Sequence, residues 1–245
     1  MIENTERIAT RDGEMEAYSF RPEEDGAFPA VILYMDAPGI REELYDFCRR
    51  IAGEGYFALL PDMYYRLGKL RFDAKDLAEG SPGRERMFEA MNSLNNGVVM
   101  SDTRGMLDFL GSHPNVKAGA KGCIGYCMCG QYVVSAAGTF PEDFGAVASL
   151  YGVGIVTDKE DSPHLLVKKV QGELYFGFAS DDPYVPEDVV STLQRELDAH
   201  GVKHRLDIWP DTHHGFCFPG RPVYVEDAAE KVWDIVFEMY ARALG

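Results

Sequence analysis

The stretch Lys121-Gly122-Cys123-Ile124-Gly125-Tyr126-Cys127-Met128-Cys129-Gly130 decides how this chain folds. A short apolar run ends at Gly125-Tyr126, and a helical pattern begins at Met128. A strand, a turn of the form G-x-S-x-G and a helix together make a sharp bend that pushes one nucleophilic side chain out at the tip of a sheet. Here Cys127 stands in the serine's place and Cys129 replaces the second glycine. A thiol attacks only as its thiolate, and the start of a helix beside it favours that anion.

Outward from this turn the chain alternates two patterns. Residues 8–20 read as one or two strands around Arg11-Asp12-Gly13. Short apolar runs at 29–35 (with β-branched Val31 and Ile32), 55–60, 145–151 and 173–178 read as buried strands, and 205–209 reads as the last strand. Helical spacing marks 42–52, 98–110, 128–137, 187–200 and 223–244. Residues 64–95 are irregular and of mixed charge, an excursion over the active-site side that is partly helical. Strands alternating with helices predict an α/β fold, a mostly parallel central sheet with helices on both faces. No linker or internal repeat interrupts it, so residues 1–245 read as a single domain.

Composition narrows the function. The 24 basic residues against 40 acidic ones leave a net charge of −16. Such a charge repels nucleic acid and anionic membrane. No apolar run reaches the ~18 residues of a membrane span, and the first residues lack the basic start of a signal peptide. Five cysteines, an odd number, suit reduced thiols in a cytoplasmic protein, with Cys48, Cys123 and Cys217 as packing residues.

In such sheets ligands lie beyond the C-terminal ends of the strands. Four of those ends carry reactive groups: Asp36-Ala37-Pro38-Gly39, then Cys127, then Ser180-Asp181-Asp182, then Asp211-Thr212-His213-His214-Gly215-Phe216. The order nucleophile, acid, histidine is that of the α/β hydrolases.

At this point Gly125-Tyr126-Cys127-Met128, Asp182-Pro183-Tyr184-Val185-Pro186 and His214-Gly215-Phe216 resemble the dienelactone hydrolase family, from about residue 29 to the last helix. The resemblance implies an α/β-hydrolase fold and a hydrolase of small esters or lactones. It would act through a thioester on Cys127, with no cofactor and no metal. It implies a triad of Cys127, Asp182 and His214. Asp182 has the family's spacing to Val185-Pro186, which leaves Asp181 as a solvated loop residue and His213 as a pocket-lining or capping one.

The family's thiol-modulating carboxylate, usually glutamate, falls at Asp36, one methylene shorter. Its oxyanion donors fall at the backbone N–H groups of Met128 and Ala37; Pro38 has no N–H to offer. Substrate-binding candidates are Arg84 and Arg86, with Tyr65 and Phe216 as apolar walls. The family's second carboxylate-binding arginine falls at Phe218, and the next arginine is Arg221, which points to a less anionic ester or lactone. A broad carboxylesterase or thioesterase, or a non-hydrolytic redox-sensing thiol protein using Cys127 and Cys129, are the alternatives. Cys129 itself either fills a small-residue slot, links to Cys127 on oxidation, or binds a metal with Cys127 and His213. The first is the simplest, because a C-x-C pair lacks two ligands of a structural zinc site. The expected partner is a small ester or lactone, and the expected assembly a monomer or small homo-oligomer.

Overall fold

An apolar pentapeptide such as Ala30-Val-Ile-Leu-Tyr34 has no polar side to offer water, so it must be covered on both faces. In the computed structural model, which describes residues 1–245 with Ala74 described in its backbone alone, every one of those five residues is buried. Full burial of each large apolar side chain is worth about 1.5–3 kcal/mol. The chain forms two compact units, Met1–Lys117 and Ala118–Gly245.

The first unit runs β1 (Ile2–Thr10), β2 (Gly13–Arg21), β3 (Ala30–Tyr34), α1 (Glu42–Gly53), β4 (Phe57–Pro61), α2 (Pro82–Asn92) and α3 (Asn96–Ser112). Its strands lie in the order β1-β2-β4-β3. The pairs β1–β2 and β2–β4 are antiparallel and β3–β4 is parallel. Helix α1 buries Leu44, Phe47, Cys48 and Ile51, the stripe that its 3.6-residue spacing predicts. The excursion expected over 64–95 is indeed partly helical, with 3₁₀ turns at Tyr65–Leu67 and Ala74–Leu77 before α2. Ser81 caps α2 by accepting the Arg84 N–H, and Pro82 takes the first-turn position where its missing N–H costs nothing.

The second unit runs β5 (Lys121–Tyr126), α4 (Gly130–Thr139), β6 (Phe144–Leu150), β7 (Glu173–Asp181), α5 (Glu187–Ala199), β8 (His204–His213) and α6 (Glu226–Leu244). Its strands lie in the order β5-β6-β7-β8, all parallel. Four of the six strand pairings named here are therefore parallel, as a mostly parallel α/β sheet requires. Helix α4 is buried from Tyr132 to Gly138 without a break, which is the signature of a helix enclosed on all sides.

Three strands outrun their sequence-based limits, the first of them β1, which begins at Ile2 and not at residue 8. The apolar runs 173–178 and 205–209 continue as β7 and β8 to Asp181 and His213, which sit opposite each other in register. Polar residues extend these strands because their backbones still pair while their side chains face solvent. Among the described residues no helix is long and apolar enough to cross a membrane.

Candidate active site

Three groups of the second unit meet at its strand ends. Cys127 follows β5 with φ of +52°, a left-handed conformation that a non-glycine residue holds only at a cost. Its carbonyl accepts the Val153 N–H at 3.0 Å, which ties the turn to the chain beyond β6. A 3₁₀ turn, Cys127–Cys129, leads into α4. Gly130 is where the packing is tightest: a Cβ there would lie 2.3 Å from the Gly152 Cα and 2.8 Å from the Ser149 Oγ. Cys129 shares in this tight packing, since a Cβ on Gly125 would lie 2.6 Å from its carbonyl oxygen. Cys129 is fully buried. No group of three His, Cys, Asp or Glu side chains suited to a metal ion occurs among the described residues.

Asp182 and His214 follow β7 and β8. His214 Nδ1 lies 2.8 Å from Asp182 Oδ2. The carboxylate can only accept, so Nδ1 carries the proton and Nε2 is left to act as base. The other carboxylate oxygen accepts the Tyr184 N–H at 2.9 Å, which fixes the carboxylate plane. The His214 ring stands edge-to-face against Tyr151 at 5.1 Å and against Tyr184 at 4.9 Å between centroids. Tyr151 is itself in the left-handed region, φ +38°, at the end of β6.

The electrostatics of His214 are set by three opposing causes. Burial disfavours the imidazolium, but the Asp182 hydrogen bond and then Cys127 outweigh it, and the pKa is raised to about 9. His214 Nε2 is buried and has no hydrogen bond of good geometry. The Cys127 sulfur favours the proton on the ring. Such contacts commonly tighten only when substrate arrives.

The remaining candidates are placed as follows. Met128 is buried just after Cys127, and its carbonyl accepts from the Gln131 side chain at 3.1 Å. Phe216 is fully enclosed, edge-to-face on Tyr151 at 5.5 Å, so it presents no surface of its own. Asp181 and His213 pair with each other at 3.1 Å on the exposed side, apart from the Asp182–His214 pair. Arg221 folds back onto the histidine loop. Its guanidinium stacks 4.2 Å from the Phe218 ring centre and fills the space where a Cβ on Gly215 would be, 2.5 Å from Nη1. Gly215 takes the left-handed conformation, φ +91°, at this contact.

In the first unit, Asp36 is fully buried and receives both terminal nitrogens of Arg41, at 2.5 and 3.1 Å. Nothing in the spacing singled out Arg41, although the i to i+5 acid–base pair was there to see. Burial works against the charged guanidinium, but Asp36 and Glu43 outweigh it and raise the Arg41 pKa. The Ala37 carbonyl accepts the Tyr64 hydroxyl at 2.9 Å. The Tyr65 hydroxyl is engaged by Asp102 at 3.0 Å and Thr10 at 2.6 Å. Asp102, a buried acid in mid-helix that the sequence reading passed over, also holds Arg66 by two bonds of 2.7 Å. Arg84 stacks over Phe88 at 5.5 Å, and Arg86 pairs with Glu89 at 3.0 Å.

Comparison with known proteins bears on the family and the fold. The model of the "Dienelactone hydrolase family" matches residues 15–244. A protein of Synechocystis sp. named "Putative carboxymethylenebutenolidase" is 27% identical over 240 residues, covering 97% of this chain and 95% of its own. A protein of Bradyrhizobium named "Probable 2-oxo-3-(5-oxofuran-2-ylidene)propanoate lactonase" is 24% identical, covering 93% and 89%. Among solved structures, one titled a "Putative Dienelactone Hydrolase" from Klebsiella pneumoniae superposes with a TM-score of 0.85 at 24% identity, covering 98% of both chains. That likeness establishes the α/β fold, a mostly parallel sheet with packed helices.

Proposed function

From a chain that belongs to the dienelactone hydrolase family, and is therefore a carboxylic ester hydrolase, we propose a Cys127–His214–Asp182 triad that cleaves small esters or lactones through a thioester. The observation that carries this reading is the His214 imidazole, held by Asp182 at Nδ1 and raised in pKa by Asp182 and Cys127.

Cys127 as thiolate attacks the substrate carbonyl, forming a C–S bond, and the carbonyl oxygen becomes an oxyanion. The Met128 N–H at the start of the helix turn meets it. Each such donor is worth about 3–4 kcal/mol in the transition state. As the C–O bond breaks, His214 Nε2 gives its proton to the leaving oxygen. The neutral imidazole then takes a proton from water, whose oxygen attacks the thioester, and the acid leaves as Cys127 returns to thiolate. Asp182 stays ionised throughout and holds the tautomer.

The substrate class follows from two features. A relative is named as a lactonase, and Arg221 brings a planar cation to the loop of His214. A guanidinium binds a carboxylate with two hydrogen bonds, so an ester or lactone bearing a carboxylate fits better than the neutral ester that the offset count suggested.

The test is acyl-enzyme trapping. Wild-type protein mixed with a slow aryl ester should gain the acyl mass on the peptide containing Cys127, and Cys127→Ala should gain none and hydrolyse nothing. Full hydrolysis by Cys127→Ala would discard the triad.

A further inference from the structure

Five large apolar side chains are well exposed among the described residues, and Tyr184, at 58%, is the most exposed of them. A single exposed ring is ordinary. Its place is not: the Tyr184 ring lies 4.9 Å from the imidazole of His214 at an interplanar angle of 66°. Its backbone is fixed by the acid that orients that imidazole, through the Tyr184 N–H to Asp182 Oδ1 and the Val185 N–H to the Asp182 carbonyl. His214 also meets Tyr151, which is fully buried. The imidazole therefore has one tyrosine inside the protein and one facing solvent.

What lies next to a general acid is decided by the reaction. Resting on the triad reading above, His214 Nε2 must come within about 2.6–3.2 Å of the oxygen that leaves. The carbon on that oxygen is one bond further on. Rings attract one another at centroid distances of about 4.5–7 Å. A ring attached at that carbon can reach this range of a tyrosine that already touches the imidazole. An acyl group, which stays on Cys127, has no such constraint.

We propose that Tyr184 is a specificity-determining residue, an exposed aromatic wall beside His214 on which a flat, unsaturated leaving group packs. The step it assists is the one in which the C–O bond breaks, the acyl group stays on the Cys127 sulfur and the leaving oxygen takes the His214 proton. A saturated leaving group of equal size meets the same wall with poorer contact.

The test compares benzyl acetate with cyclohexylmethyl acetate, which share an acyl group and differ in the flatness of the leaving ring. Wild-type protein should favour the benzyl ester in kcat/KM by roughly three- to tenfold. Tyr184→Phe should keep that ratio and Tyr184→Ala should bring it close to one. A ratio untouched in Tyr184→Ala, or lost equally in Tyr184→Phe, overturns the proposal, since a merely structural tyrosine would slow both esters alike. Protection of Cys127 from iodoacetamide by benzyl alcohol against cyclohexylmethanol gives the same comparison without turnover. Equal protection by both alcohols in wild-type protein also overturns it, whereas hydrolysis surviving in Cys127→Ala counts against the triad and not against the wall.

Discussion

Replacing Asp182 by asparagine removes a charge while keeping the shape of the side chain. In the native site the His214 pKa rises from 6.5 to about 9, against a burial effect that pulls it down. At 1.36 kcal/mol per unit that net rise is worth about 3 kcal/mol in favour of the protonated ring. An opposite charge at hydrogen-bond distance typically moves a pKa by about 1–3 units, so Asp182→Asn should bring His214 down from about 9 to roughly 6–8. The asparagine can also offer an N–H to Nδ1, which moves the ring proton to Nε2 and removes the base. In serine triads that loss costs about 10⁴ in kcat, and a loss of about 10³–10⁴ is expected here. The imidazolium's contribution to folding has the matching sign. It is fully present below about pH 6.5 and disappears as pH rises through about 9. Urea unfolding of wild-type protein at pH 6 and at pH 10 should therefore show a fall in stability that the variant lacks. Imidazole resonances followed by NMR titration would give the pKa directly. A variant whose His214 pKa stays near that of wild type, or whose kcat falls less than tenfold, would refute the reasoning.

Three further outcomes are expected. Gly130→Ala should lose about 2–3 kcal/mol in urea unfolding, because its Cβ would press on the Gly152 backbone at 2.3 Å; Gly111→Ala, which meets nothing within 4 Å, should lose none. Arg66→Met should cost about 3–5 kcal/mol by the same measurement, since it strands the fully buried Asp102 carboxylate; a cost under about 1 kcal/mol would mean that Tyr65 and water suffice. Arg221→Met should raise KM for a carboxylated lactone by about tenfold while leaving a neutral ester within twofold; equal changes for both would remove Arg221 from substrate binding.

The sequence made the framework of the site readable where local pattern and chemistry coincide. The elbow at Cys127 is written in a strand, a turn and a helix that follow one another within ten residues. Asp182 and His214 lie four and five residues beyond the runs that end at Phe178 and Trp209, and only the family resemblance prefers them to Asp181 and His213. What escaped depends on distance in space. Asp36 meets Arg41 across a loop, and Asp102 meets Arg66 and Tyr65 from a helix; residue spacing says nothing of either. Tyr65 read as a substrate wall because aromatic residues serve core and pocket alike, but its hydroxyl is engaged by Asp102 and Thr10. The ends of β7 and β8 were set too early because polar side chains conceal a backbone that still pairs, as Asp181 does with His213.

The left-handed backbone at Cys127, φ +52°, carries a consequence for engineering. A residue with a Cβ loses about 1–2 kcal/mol in that conformation, and glycine does not. Cys127→Gly should therefore fold at least as well as the native chain and catalyse nothing. A campaign that ranked variants by melting temperature alone would reward erasing the proposed nucleophile. Any library built on this scaffold has to be screened for turnover at every round, with position 127 held fixed.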